Sequence, residues 1–183
     1  GGTILGTHNR ADPFAYFGAS GADVSAAAMA YTAELGLDSL VVIGGDGSMA
    51  IADRFSRLGL PIVGIPKTID NDLYYTDRSF GFDTAVATAA DALGRLETTG
   101  QSHCRVMILE TMGRYAGWIA LEAGLAGAAD VILSPEMAYS REAVAARCRE
   151  HQRGRVHLWH GPAIRVGAGP DQQSGDAILI QRD

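Results

Sequence analysis

Four short aliphatic runs, Leu40–Ile43, Pro61–Ile65, Val106–Leu109 and Val131–Leu133, alternate with Ala-rich stretches of helical periodicity. Each run is too short for a helix and rich in Val, Ile or Leu, so each reads as a buried strand. The stretches around them, Asp23–Leu35, Ser48–Leu58, Thr84–Leu96, Tyr115–Ala126 and Arg141–Glu150, have the length and spacing of helices. Gly36, Gly59 and Gly127 stand where three of these helices should stop. Strands joined through helices pair in parallel, because the helix supplies the crossover. The expected class is therefore α/β, a parallel sheet with helices on both faces in three layers. No internal repeat is visible. After about Val156 the alternation weakens; His157–Pro162 is a candidate further strand, and Gly167–Asp183 is polar and Gly-rich until Ala177–Ile180.

Composition narrows the function classes. The chain has 183 residues, 47% of them hydrophobic and 20% charged, the balance of an ordinary globular core. Its net charge of −6 disfavours a general binder of nucleic acid or anionic membrane, since both need a basic surface. Cys104 and Cys148 lack metal-ligand spacing and read as thiols of a reducing compartment. No apolar run approaches the length of a membrane span and no basic-then-apolar leader is seen, so a cytoplasmic location is expected. Lysine occurs once, at Lys67.

In open parallel sheets ligands bind beyond the carboxyl ends of the strands, and there the unusual residues lie. Gly44-Gly45-Asp46-Gly47-Ser48 follows the first run. Glycines let backbone N–H groups approach phosphate oxygens, and the next helix offers its positive end. A carboxylate inside such a cradle repels phosphate unless a cation lies between them, so Asp46 implies Mg²⁺; the plainer reading is a tight turn with Asp46 as a cap. Pro66-Lys67-Thr68-Ile69-Asp70-Asn71-Asp72 follows the second run. Two carboxylates and an ammonium suit general-base work and stabilisation of phosphoryl charge; the plainer reading is a solvated turn with Asx capping. Glu110-Thr111-Met112-Gly113-Arg114 follows the third run and opens a helix, where an Arg is unfavourable unless it serves an anion. A polyanion, a metal and a base together are the requirements of phosphoryl transfer.

These three loops, in this order, resemble those of the phosphofructokinase family. Gly44–Ser48 resembles its nucleotide-phosphate loop, Pro66–Asp72 its catalytic loop, and Met112-Gly113-Arg114-Tyr115-Ala116-Gly117 its sugar-phosphate loop. Gly1–Arg10 and Ser79-Phe80-Gly81-Phe82-Asp83-Thr84-Ala85 are also similar, and the match runs from Gly1 to about Glu136. The resemblance implies a 6-phosphofructokinase, moving the terminal phosphoryl group of a donor to the 1-hydroxyl of fructose 6-phosphate in glycolysis. Asp70 would be the base, with Lys67 and Arg114 stabilising charge. Asp46 would hold Mg²⁺, supported by Asp72. Arg10, Gly45, Gly47 and Ser48 would contact the donor. Thr68, Ile69, Met112, Gly113 and Arg114 would position the sugar phosphate. Arg105 would reach the substrate of a neighbouring subunit, in a homo-oligomer (dimer or tetramer). Glu136 lies near where bacterial relatives bind allosteric nucleotides, a plain turn being the simpler reading.

Two positions bear on the donor. In the family a small residue at Gly47 leaves room for the α-phosphate of a nucleotide, where pyrophosphate users carry an Asp. Lys67 is usual in pyrophosphate users. The exclusion that Asp would provide is absent, so ATP is the expectation and pyrophosphate the alternative.

The same resemblance implies an earlier strand with its own Gly-Gly-Asp loop, and a second domain bringing a glutamate, arginines and a histidine to the sugar phosphate. Val156–Pro162 contains no acid where that glutamate is expected, and Gly167–Asp183 has no phosphate-binding arginine pattern. The expectation is an incomplete chain, with a catalytic core over residues 1–136 and the start of a second domain or a degenerate tail over 137–183, weak or inactive alone. The competing readings are a non-catalytic sugar-phosphate or nucleotide-binding remnant, a kinase of the diacylglycerol or NAD type with a similar glycine loop, and a purely structural role. The loops at Pro66–Asp72 and Met112–Arg114 favour the phosphofructokinase reading over the other kinases.

Overall fold

The computed structural model describes residues 4, 6, 8, 11–103, 105–153 and 177–181. Arg10, Cys104 and the candidate strand at His157–Pro162 lie outside the described residues. The chain divides into two compact units, Gly1–Lys67 and Thr68–Asp183.

The first unit carries α1 (Ser25–Glu34), β1 (Leu40–Gly44), α2 (Asp46–Arg57) and β2 (Ile62–Thr68), whose last residue opens the second unit. β1 and β2 pair in parallel, Leu40 opposite Ile62 through Gly44 opposite Pro66, as strands joined by a helical crossover should. Both helices end on a left-handed glycine. Gly36 has φ 67° and lets Leu37 N–H reach the Thr32 carbonyl at 3.0 Å. Gly59 has φ 98° and lets Leu60 N–H reach the Phe55 carbonyl at 3.2 Å. Each bond satisfies a carbonyl that the helix end would otherwise leave open. On the side facing away from Val42, Val41 and its register partner Val63 are each 61% exposed, so this face of the pair is bare among the described residues.

The second unit carries β3 (Phe80–Gly81), α3 (Phe82–His103), β4 (Met107–Thr111), α4 (Trp118–Ala126), β5 (Val131–Leu133), α5 (Arg141–Arg153) and β6 (Ala177–Gln181). Its core is Phe82, Ala89 and Leu93 of α3 against Ile119, Ala120 and Ala123 of α4, with Leu109 and Ile132 of the sheet packed on them. Three of these six are alanines. β4 and β5 do not touch directly: β6 lies between them, antiparallel to both. The Ala177–Ile180 run left unassigned by local pattern is thus a central strand, made one by pairing with partners more than forty residues away.

Gly127 differs from the other two helix stops. Its φ is −91°, and the left-handed residue that closes α4 is Ala128, φ 52°, followed by Ala129 N–H on the Gly124 carbonyl at 2.8 Å. Gly127 is glycine for space instead: a Cβ there would stand 2.9 Å from Leu93 Cδ1 and 3.1 Å from Leu93 Cβ.

Candidate active site

In the first unit, the glycine loop is shorter than its sequence suggests. α2 begins at Asp46, two residues before the expected start, so Asp46, Gly47 and Ser48 form its first turn. Gly45 is extended, with φ −90° and ψ −163°, and turns the chain from β1 into the helix. A carboxylate at the first helical position is favoured by the positive helix end, and the first-turn N–H groups lack intrahelical acceptors. Gly44 is required by packing, since a Cβ would meet Ser48 Cβ and Oγ at 2.4 Å. At Gly47 a Cβ would meet nothing within 4 Å. The structure thus has open space beside Gly47 that a larger residue would enter. Asp46 and Lys67 are both exposed.

Among the described residues no three His, Cys, Asp or Glu side chains group as a metal site. Mg²⁺ carried on phosphates needs only one or two carboxylates from the protein, and the exposed Asp46 in the first turn of α2 fits that donor set.

In the second unit, the segment after β2 is cinched into a closed loop. Ser79 is only 4% exposed; its hydroxyl donates to the Thr68 carbonyl at 2.8 Å, and its N–H donates to Asn71 Oδ1 at 2.8 Å. Asn71 sits at φ 53°, a left-handed conformation that asparagine tolerates better than most residues. Thr68 Oγ1 accepts the Asp70 N–H at 3.2 Å. Asp70 lies inside this clamp. Its Oδ1 is buried and has no hydrogen-bond partner. Burial, and then the charge of Asp72, push the Asp70 carboxyl above the usual aspartate range. A carboxylate short of hydrogen bonds and held near another carboxylate is primed to take a proton. Asp72 and Ile69 are exposed beside it. At the far end of the loop Arg78 pairs with Asp83 and with both Glu122 oxygens at 3.3 Å, over the Phe82 ring.

The segment after β4 is equally constrained. Gly113 has φ 142°, and a Cβ there would come within 2.7 Å of the Ala116 carbonyl oxygen, so backbone and space both demand glycine. α4 starts at Trp118, so Arg114 does not open a helix as expected; it sits in the loop four residues earlier, exposed, its guanidinium 5.5 Å from the Tyr115 ring centre. Met112 and Arg114, on either side of the Gly113 turn, are both exposed. Arg105 precedes β4, at the opposite end of that strand from Met112. Five residues of strand separate the two ends by roughly 16 Å. Within one chain, Arg105 and the Met112–Arg114 loop are not brought together.

Asn71 and Ser79 carry this architecture, whereas the sequence shows them only as members of two motifs and gives neither a role. An Asn between two Asp residues looks like one more polar turn residue, and the contact with Ser79 spans eight positions. Asn preference for left-handed backbone was the one local signal.

The model of the family described as phosphofructokinase matches residues 1–166. The chain is 54% identical over 98% of its length to an ATP-dependent 6-phosphofructokinase of Chloroflexus aurantiacus, of which it covers 50%. It is 45% identical over 98% of its length to a pyrophosphate–fructose 6-phosphate 1-phosphotransferase of Amycolatopsis methanolica, again covering 50%. Among solved structures, a pyrophosphate-dependent phosphofructokinase from Marinobacter aquaeolei superposes with TM-score 0.57 and 32% identity, over 67% of this chain and 35% of the other. The chain spans about half the length of the curated relatives it matches.

Proposed function

The chain belongs to the phosphofructokinase family, and from that premise we propose that it carries the core of a 6-phosphofructokinase, transferring the terminal phosphoryl group of ATP to the 1-hydroxyl of fructose 6-phosphate. The observation that carries the proposal is Asp70. Its buried, unpartnered Oδ1 and raised carboxyl suit a base awaiting a hydroxyl proton. In this reading Asp70 accepts that proton as the sugar oxygen attacks the phosphoryl group in line, and the carboxyl later returns it to solvent. Thr68 and Ile69 flank the hydroxyl. Met112, Gly113 and Arg114 hold the sugar phosphate, Arg114 as its charge partner.

Gly45, just before α2, and Gly47 and Ser48 in its first turn offer N–H groups to the donor's phosphates, with Arg10 a further donor contact. Asp46 would hold Mg²⁺, which when bound neutralises phosphate charge. Lys67 adds a cation for the transferred group. The open space at Gly47 favours a nucleotide over pyrophosphate, and so does the naming of the Chloroflexus relative. Lys67 and the Amycolatopsis relative keep pyrophosphate as the second reading. Arg105, remote from the sugar-phosphate loop of its own chain, suits the site of a neighbouring subunit in a dimer or tetramer. We assign the catalytic core to residues 1–136 and the reaction to glycolysis in the cytoplasm. No helix among the described residues is long and apolar enough to cross a membrane.

The test is phosphorylation of fructose 6-phosphate with Mg²⁺ and labelled ATP or labelled pyrophosphate in parallel. Weak transfer of label from ATP alone into fructose 1,6-bisphosphate is the expected outcome. Transfer from pyrophosphate alone moves the donor to the second reading. Sugar-phosphate binding without transfer from either would reduce the chain to a binding module.

A further inference from the structure

The sugar-phosphate loop is gripped from outside itself. Glu136, three residues past β5, accepts the Gly117 N–H through Oε1 at 2.7 Å. Gly117 is the residue at which the loop enters α4. It is buried, and its φ of −82° suits any residue, yet a Cβ would stand 2.5 Å from Ser134 Cβ, 2.9 Å from Glu136 Oε2 and 3.1 Å from Pro135 Cδ. Gly117 is therefore glycine because the 134–136 segment lies against it. Burial works to raise the Glu136 carboxyl, but the hydrogen bonds from Gly117 N–H, the Ser134 hydroxyl and its own N–H together hold it below the usual glutamate range. The negative charge also complements the positive end of α4.

The six residues Met112–Gly117 thus fold back tightly at Gly113, where there is no room for a Cβ beside the Ala116 carbonyl, and are held at Gly117 by Glu136, while Arg114 and Tyr115 between them are exposed. We propose that Glu136 is a positioning residue for substrate binding: by holding Gly117 it fixes where Met112–Arg114 meets the sugar phosphate, without touching the substrate. The inference rests on the reading of that loop as the sugar-phosphate contact. A residue that merely capped α4 would affect stability and leave sugar-phosphate affinity alone.

The experiment uses the full chain with Glu136→Ala and Glu136→Gln. Calorimetry measures the Kd of fructose 6-phosphate and, separately, of ATP with Mg²⁺; amide exchange reads protection of the Gly117 N–H. Glu136→Ala is expected to weaken fructose 6-phosphate binding and to speed Gly117 exchange, each by about tenfold, the loss of a hydrogen bond to a charged group. ATP affinity should not move. Glu136→Gln, which keeps an acceptor oxygen, should recover most of both losses. Faster Gly117 exchange with unchanged fructose 6-phosphate affinity would overturn the proposal and leave Glu136 a helix cap. Unchanged exchange would overturn the grip itself. A parent chain that binds no fructose 6-phosphate, yet loses Gly117 protection in Glu136→Ala, would overturn the functional reading and this inference with it, while the grip stands measured. Should Glu136→Ala lose its fold, Glu136→Asp, which keeps the charge but is one methylene short, takes its place with the same outcomes.

Discussion

Asp70 is a side chain whose surroundings work against the stability of the fold. Its Oδ1 is buried without a partner, and its carboxyl is raised by burial first and by Asp72 second. A group whose folded pKa lies above its unfolded value penalises the fold once ionised. That penalty is present at neutral pH and fades as pH falls through the raised value toward the ordinary carboxylate range. Asp70→Asn is therefore expected to raise the melting temperature at pH 7 by about 2 °C, to lose that advantage in acid, and to abolish phosphoryl transfer. Thermal melts across pH and the labelled-donor assay check the three parts. Ser79→Ala tests the clamp from the side. It removes the donor to the part-buried Thr68 carbonyl, a cost of about 1 kcal/mol. Ser79→Thr keeps the hydroxyl and should restore most of the loss in chemical denaturation.

At the scale of elements, the α3–α4 contact decides two neighbouring positions differently. Gly127 cannot take a side chain because Leu93 fills the space, whereas Ala128 carries its Cβ in the left-handed region. That conformation costs an alanine about 1 kcal/mol relative to glycine. Ala128→Gly is expected to stabilise the second unit by about that amount, read as a higher urea midpoint at unchanged slope. Gly127→Ala, one residue away, is expected to destabilise it. The contrast separates a glycine needed for conformation from one needed for room. Strand β6 adds a lesson at this scale. A five-residue apolar run bounded by polar, Gly-rich sequence has no local mark of a central strand; it becomes one only when β4 and β5 lend their edges.

For the whole molecule the governing quantity is charge. A chain of net charge −6 is proposed to bind a polyanionic donor, and unscreened the two repel. Chelation of Mg²⁺ by EDTA is expected to weaken ATP binding by more than about tenfold, the order of one charged contact, while leaving fructose 6-phosphate binding nearly unchanged. Calorimetry with and without chelator distinguishes the two ligands.

Much of this protein follows from its sequence. β1, β2, β4 and β5, the intervening helices, and the loops at Gly44–Ser48, Pro66–Asp72 and Met112–Arg114 are all legible there. Side-chain periodicity, β-branching and glycine stops act within a few residues of one another, so the sequence displays them directly. The tertiary structure alone decided the rest: that Asp70 Oδ1 is buried without a hydrogen bond, that Asn71 and Ser79 close the loop around it, that Glu136 holds Gly117 from nineteen positions away, and that Gly127 yields its left-handed role to Ala128. Desolvation and contact across many residues depend on which surfaces meet, and no local preference encodes that meeting.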